Sequence, residues 1–450
     1  MNLLELVEHA GIVGCGGAGF PTHVKLKGNF EYLIVNGAEC EPLLRTDRYL
    51  MRHKAKELIE TVQTLKVELG IPRAVFALKG HYRLEVEALR AAIQELNAQV
   101  EIKELESFYP AGDEQTIVYE VTGRVVPPAG LPSMVGAVVD NVATIYCIYQ
   151  ALRDRPFIWK YLTVTGEVKT PSVLKVPVGT SYAECIELAG GALCGDFFVI
   201  SGGPMMGKPL TRDQAMESYV TKTTSGILVL PKDGYHDNQN QISIKTMINR
   251  AKSACIQCTQ CTQLCPRHLL GHPLRPHAIM RKMAVFGTDY DFLTEDTVIR
   301  EALLCCECGI CETYACPMGL QPRKINSMLK KELGARRIRY ERSGEDFEAS
   351  SERECRKVPS RRAAARVGVL KYYDYEIDNF IEKEPKEVVI SLRMNIGAPS
   401  KPIVKVGQMV LQGDLIACIS PDALGANIHA SISGMVTEVS DVIRIEKELA

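Results

Sequence analysis

The chain has 450 residues, 46% hydrophobic and 24% charged, with a formal net charge of −1. That length suggests about three domains of ~150 residues each, and the near-neutral balance argues against a nucleic-acid or acidic-membrane partner. No apolar run reaches the ~18 residues of a membrane span and the N-terminus lacks a basic, cleavable leader pattern, so a cytoplasmic protein with no direct membrane span is expected.

In chain order, the first segment NLLELVEHAG spaces Leu3, Leu4, Val7 and Ala10 as a helix does. It leads into GIVGCGGAGFPTHVKL, where Gly14, Gly16 and Gly19 fit G-x-G-x-x-G. The ordinary dinucleotide fingerprint needs a strand before this loop and a helix straight after it. Here a helix precedes it, and Pro21 pushes Phe20 away from helical geometry. What survives is a glycine loop whose backbone can approach a phosphate or a flat ring.

FEYLIV (30–35) reads as a buried strand followed by the turn NGAECEP (36–42), and a long amphipathic helix is predicted from Thr46 to Leu69, ended by Gly70 and Pro72. A strand at 74–79, a helix near 83–97 and a strand at 100–105 follow. Alternation of this kind predicts a parallel sheet wound on both faces, with ligands at the carboxyl ends of its strands, where NGAECEP falls. After Arg155 the pattern turns β-rich: YLTVTGEV, SVLKVPVG, a short helix near 181–190, then DFFVISGGPMMGKPL, whose glycines are read as turns.

Sixteen cysteines are many for a cytosolic chain, and nine of them fall within Cys255–Cys316, a clustering that points to metal rather than disulfides. CIQCTQCTQLCP spaces Cys255, Cys258, Cys261 and Cys265 as x2, x2, x3, with Pro266 after the last. This is the bacterial 4Fe–4S spacing. CCECGICETYACP repeats it with Cys305, Cys308, Cys311 and Cys316, except that the last gap is x4, so one extra residue must bulge before Cys316. In two-cluster ferredoxins the fourth cysteine of each run ligates the other cluster. One cluster is therefore assigned to Cys255, Cys258, Cys261 and Cys316, the other to Cys305, Cys308, Cys311 and Cys265. Cys306 is left over, and a pair of four-cysteine zinc sites is the alternative. His268, His272 and His277 could suggest a proton relay or a cobalt ligand, but are read as part of a solvated or packed segment between the clusters. Two one-electron centres call for a two-electron collector such as a flavin.

Residues 334–366 are dense in both charge signs and poor in aliphatics, and read as an exposed linker. From Glu387 short strands return, and VKVGQMVLQGDLIA beside HASISGMV has the pattern of a barrel-sandwich hybrid. PDALGANIH (421–429), where a carrier lysine would sit, has none, so the module is expected to serve packing or docking.

GxGGAGFPTxxK (Gly14 to Lys25), with Asn36, Glu39, Glu41 and Pro42, resembles the FMN- and NADH-binding subunit of respiratory complex I and, more closely, the C subunit of the Rnf complex. YPAGDEQ (109–115) and VDNVAT (139–144) match two further segments of those proteins. The resemblance implies FMN held by Gly14, Gly16, Gly17, Gly19, Lys25 and Asn36, with Asn141 and Thr144 near its phosphate. It also implies an NADH slot flanked by Glu39, Glu41, Tyr109, Asp113 and Glu114, with Glu39 and Glu41 as the catalytic carboxylates. Ala38 stands where complex I has aspartate. The β-rich segment resembles the soluble-ligand-binding (SLBB) β-grasp domain of the same proteins.

Rnf C subunits carry the barrel-sandwich ahead of the flavin domain, whereas here it comes last, as in the cobalamin reductases of propanediol-utilisation microcompartments, which the chain resembles over nearly its whole length. An α/β multidomain protein follows. It has a Rossmann-like flavin domain (1–155), an SLBB β-grasp domain (156–240), a two-cluster ferredoxin-like helical domain (241–333), a charged linker (334–385) and a C-terminal barrel-sandwich hybrid (386–450). The implied activity is an NADH-dependent cob(III/II)alamin reductase with FMN and two 4Fe–4S clusters, supporting adenosylcobalamin recycling inside a bacterial microcompartment. Its implied partners are an adenosyltransferase and shell or cargo proteins. The rival expectations are an Rnf-like subunit passing electrons between NADH and ferredoxin, and an electron-wiring scaffold.

Overall fold

A computed structural model describes residues 1–232, 234–288, 295–342, 344 and 347–447. Parts of the linker and of the SLBB, ferredoxin-like and C-terminal segments expected above therefore lie outside the described residues. The first helix, Leu3–His9, forms as its spacing predicts and is fixed by a capping box: Asn2 accepts from the Glu5 amide and Glu5 accepts back from Asn2. The glycine loop behind it closes on itself, with the Gly14 amide donating to the Phe20 carbonyl at 2.9 Å.

The sheet expected from the alternation is present as four parallel strands, in the order Glu101–Leu105, Arg73–Lys79, Tyr32–Gly37 and Ala137–Asn141. Helices Ala55–Glu68, Arg83–Glu95 and Val142–Ala151 cover one face through Leu58, Val62, Leu89 and Ile145. Helix Glu114–Thr122 covers the other through Ile117 and Val118. The single helix predicted from Thr46 to Leu69 is two, Thr46–His53 and Ala55–Glu68, broken at Lys54 (φ −129°, ψ 27°). The apolar period runs through Lys54 without Gly or Pro, so nothing local marks the break. It lets the first piece turn Arg48 and Arg52 onto the fully buried Glu85, at 3.0 and 2.8 Å.

The β-rich segment forms a six-stranded mixed sheet in the order Phe380–Glu382, Ser172–Pro177, Trp159–Gly166, Gly226–Pro231, Phe197–Ser201 and Lys208–Thr211. Its outer strand, Phe380–Glu382, comes from the stretch expected as linker. That expectation needs a second correction. Val358–Pro359 pairs with Phe108–Tyr109, and helix Ser360–Arg366 buries Ala363 and Ala364. Arg353 is buried against Glu120. The charges that make the segment look solvated are largely satisfied in pairs, and its few alanines and valines supply the contacts.

Between these units, helices Ile244–Ala254, Pro276–Phe286 and Pro322–Ala335 pack around Met247, Ile279, Met283 and Leu329, carrying the two cysteine runs at their ends. The C-terminal module is two small sheets, one of four strands and one of three. It packs on the first domain rather than standing free. The buried Lys222 ammonium donates to the carbonyls of both Gly11 and Asn427 at 2.7 Å, and the Ile396 amide donates to the Gly19 carbonyl at 3.2 Å. No described helix is long and apolar enough to cross a membrane.

Candidate functional site

The carboxyl ends of strands Tyr32–Gly37 and Ala137–Asn141 open on a cavity of about 430 Å³. Every residue expected at the flavin and NADH sites lines it: Gly14, Gly16, Gly17, Gly19, Lys25, Asn36, Glu39, Glu41, Tyr109, Asp113, Glu114, Asn141 and Thr144. The strand order reverses between these two strands, and a ligand crevice outside the carboxyl ends lies at such a switch point. Gly16 is required by closeness, since a Cβ there would sit 3.0 Å from the Asn141 side chain, whereas one at Gly17 would point into open space.

The cavity is rich in carboxylates. Burial raises Glu39, raises Glu41 to about 7, lifts Asp47 well above its usual range, where Glu39 adds repulsion, and takes Asp140 to about 6. Glu39 accepts from the Asp47 amide at 3.0 Å through Oε1, but its Oε2 has no partner, and neither has Asp140 Oδ2. Buried acceptors without donors are costly, and a group rich in hydroxyls or ring N–H would satisfy them. Lys25, 2.7 Å from Glu114 and 3.9 Å from Asp140, is a cation that could meet a phosphate. Asn36 donates to the Gly112 carbonyl at 2.8 Å, Asn141 to Asp47 at 2.7 Å, and Thr144 Oγ1 accepts from the Cys15 amide at 2.9 Å. The donor set, the orphaned oxygens and the glycine approach fit FMN.

Cys306 and Cys308 line this same cavity. Tyr109 bridges the two regions: its hydroxyl donates to the Cys308 carbonyl at 2.8 Å and lies 3.5 Å from Glu41 Oε1. A hydroxyl carries one proton, so the shorter contact to the Cys308 carbonyl takes it and the longer one to Glu41 is weak.

The cysteine runs repeat each other in backbone as well as spacing. Gln257 and Thr259 have φ of 52° and 63°, and Glu307 and Gly309 have 60° and 83°. These left-handed residues stand two and four places after Cys255 and Cys305, which puts Cys305, and not Cys306, in register with Cys255. Cys255, Cys258, Cys261 and Cys316 face one recess. Cys265 lies near enough to Cys305, Cys308 and Cys311 for their thiols to interact. The extra residue before Cys316 is absorbed by a wider turn, in which the amides of Tyr314 and Ala315 both donate to the Ile310 carbonyl, at 3.1 and 2.8 Å. Among the described residues no three His, Cys, Asp or Glu side chains meet closely enough for a single metal ion. His272 is buried beside the Val126 carbonyl and His277 pairs with Thr262.

Other residues escaped the sequence reading. The glycines of SGGPMMG are more than turns: a Cβ at Gly203 would lie 2.2 Å from Glu41, and the Met205 amide donates to Glu41 Oε2 at 2.8 Å. Arg267 pairs with Asp113 at 2.9 Å, and Lys160 reaches the cavity from the six-stranded sheet. Each comes from a segment distant in sequence, and only Asp47, in the first turn after NGAECEP, had a local signal.

Family models match four segments: a Nuo51 FMN-binding domain over residues 7–150, an SLBB domain over 161–209, a 4Fe-4S dicluster domain over 254–321, and an RnfC barrel sandwich hybrid domain over 376–448. The cobalamin reductase PduS of Salmonella typhimurium is 41% identical over 443 residues, 98% of this chain and 95% of its own. That of Citrobacter freundii is 40% identical over the same shares. The proton-translocating ferredoxin:NAD(+) oxidoreductase complex of Clostridium ljungdahlii has a C subunit that is 35% identical over 60% of this chain and 56% of its own.

Proposed function

The chain belongs to the cobalamin reductase family, and from that premise we propose that it takes electron pairs from NADH and delivers them singly to cobalamin. The observation that carries this reading is the shared wall: the cavity built from the glycine loop and the carboxylates is also lined by Cys306 and Cys308 of the second cysteine run. When bound, FMN supplies the exchange between a hydride and single electrons, and two 4Fe–4S clusters supply the one-electron relay that cobalt chemistry requires.

The chain's own residues prepare each end. Lys25 and the amides of Gly16–Gly19 offer positive charge and N–H donors to a phosphate. Asn36, Glu39 and Asp140 accept or donate along a polyhydroxyl chain. Glu41, half-titrated near neutrality, can hold or release a proton at Oε1 beside the Tyr109 hydroxyl. Cys265, Cys305, Cys308 and Cys311 would hold the cluster nearer this cavity, and Cys255, Cys258, Cys261 and Cys316 the outer one, where Cys258 and Ile256 are exposed. That outer recess is the exit toward the acceptor. An adenosyltransferase that consumes the reduced corrin, and the shell or cargo of a microcompartment, are the partners this role calls for.

An anaerobic titration of the cluster-loaded protein with NADH, followed by cob(III)alamin or cob(II)alamin, tests the reading. Bleaching of the flavin and cluster bands, reversed by cobalamin with appearance of its reduced spectrum, is expected. Bleaching reversed by ferredoxin but not by cobalamin would overturn the corrin acceptor in favour of an Rnf-like role.

A further inference from the structure

Two cysteines with no part in that electron path lie against each other between two cavities. Cys15 belongs to the glycine loop and Cys147 to helix Val142–Ala151, and their sulfur atoms are 3.9 Å apart. The helix sets the pair: Thr144 takes the Cys15 amide hydrogen at 2.9 Å, and Cys147 follows Thr144 by one turn on the same face. Both thiols line a second cavity of about 670 Å³ with Tyr146, Lys160 and Tyr161, while Cys15 also lines the flavin cavity. A small oxidant in the larger cavity would meet both sulfurs.

Their surroundings divide the roles. The hydrogen bond from Cys147 and the charge of Lys160 hold the Cys15 thiol down to about 6 against the opposing effect of burial. Cys147 is pushed well up by the same hydrogen bond and by burial. Cys15 is thus the readier of the two to ionise and attack, and Cys147 the one placed to resolve.

We propose that Cys15 and Cys147 form a peroxide-responsive thiol pair whose disulfide draws the glycine loop onto helix Val142–Ala151 and weakens flavin binding. The Cys15 thiolate attacks one oxygen of hydrogen peroxide, the O–O bond breaks, and hydroxide leaves and takes a proton to become water. Cys15 is then a sulfenic acid. The Cys147 sulfur, losing its proton, attacks the Cys15 sulfur. The S–O bond breaks, and the leaving hydroxide takes that proton as a second water. Two thiols and one peroxide thus give one disulfide and two waters. An S–S bond is about 2.05 Å, so closure from 3.9 Å draws the two sulfurs together and tightens the glycine loop on the helix, where Gly16 already has Asn141 against it.

The thiol chemistry stands independently of the function proposed above, and only its effect on flavin rests on that reading. The test treats anaerobically purified, cofactor-loaded, full-length protein with graded hydrogen peroxide, then maps alkylated peptides by mass spectrometry and measures retained flavin by fluorescence. Expected are a Cys15–Cys147 cross-linked peptide at doses that leave the cluster absorbance unchanged, a several-fold loss of bound flavin, and reversal of both by dithiothreitol. Cys147→Ser should stop at a Cys15 sulfenic acid that dimedone traps, and keep its flavin. Recovery of both cysteines singly alkylated at every dose overturns the proposal, as does a cross-link that leaves flavin bound. If untreated protein binds no flavin at all, the flavin reading fails, while the cross-link still decides the thiol pair.

Discussion

The Tyr109 hydroxyl donates to the carbonyl of Cys308 at 2.8 Å, so one side chain of the flavin cavity holds the backbone of the second cysteine run. Tyr109 is among the largest fully buried side chains, and its strand pairs with Val358–Pro359. Tyr109→Phe keeps the ring and removes the only proton, leaving a buried carbonyl without this donor. Such a loss costs about 1–3 kcal/mol. The variant is expected to bind flavin, to unfold at a lower midpoint, and to pass electrons to the clusters more slowly. Stopped-flow absorbance under anaerobic conditions separates the two rates. Unchanged cluster reduction would mean that the hydroxyl only packs.

Register, rather than proximity, distinguishes Cys305 from Cys306. Both are near Cys265, but only Cys305 precedes the pair of left-handed residues that also follows Cys255. Cys305→Ser should therefore lose about half the iron and sulfide, as expected when one of two clusters is destabilised. Cys306→Ser should keep the wild-type content. Iron and acid-labile sulfide assays on the purified variants check this, and the opposite pattern would reverse the assignment.

Glu41 makes a pH dependence with a definite sign. Burial raises its carboxyl from 4.5 to about 7 in the folded chain. The folded state thus binds a proton more tightly than the unfolded state, and this contribution to stability is fully present below pH 4.5 and lost as pH rises toward 7. One unit corresponds to about 1.4 kcal/mol, and with Glu41 partly open to the cavity the loss is about 2 kcal/mol. Glu41→Gln, which stays neutral, should unfold with a shallower decline between pH 5 and 7 in urea titrations of the flavin-free protein. Parallel curves for the two proteins would refute the buried-acid account.

Much of this was legible because the chemistry is local. The cluster cysteines announce themselves by spacing, and the glycine loop with NGAECEP marks the strand ends where the cavity opens. The residues that escaped are those brought in by the fold. Met205 closes on Glu41 from 164 residues away, and Arg267 reaches Asp113 from the end of the first cysteine run. The charged stretch after Gly334 misled for a related reason. Composition records charge but not pairing, and Arg353 and Lys357 are bound to Glu120, Glu354 and Glu106. The break at Lys54 is invisible because no Gly or Pro marks it, and the partner that Arg48 and Arg52 meet, Glu85, lies on another helix.

The Arg267–Asp113 pair is the electrostatic fastening between the cluster domain and the flavin cavity. Its side chains are 10% and 13% exposed, and Arg267 also donates to Gln115 at 2.5 Å. A buried charge that loses its partner is expensive, about 3–5 kcal/mol, even where the intact pair adds little net stability. Arg267→Met should therefore lower the unfolding midpoint strongly, because the largely buried Asp113 loses its guanidinium partner and keeps only the Thr116 hydrogen bonds. Adding Asp113→Asn should recover much of the loss. Asparagine still caps helix Glu114–Thr122, where Asp113 now accepts from the Thr116 amide at 3.1 Å. The double variant would then be nearly as stable as the parent but lack the fastening, so its flavin should exchange faster while its clusters stay intact. A double variant no more stable than Arg267→Met alone would assign the cost to lost packing of the arginine stem instead of to the unpaired carboxylate.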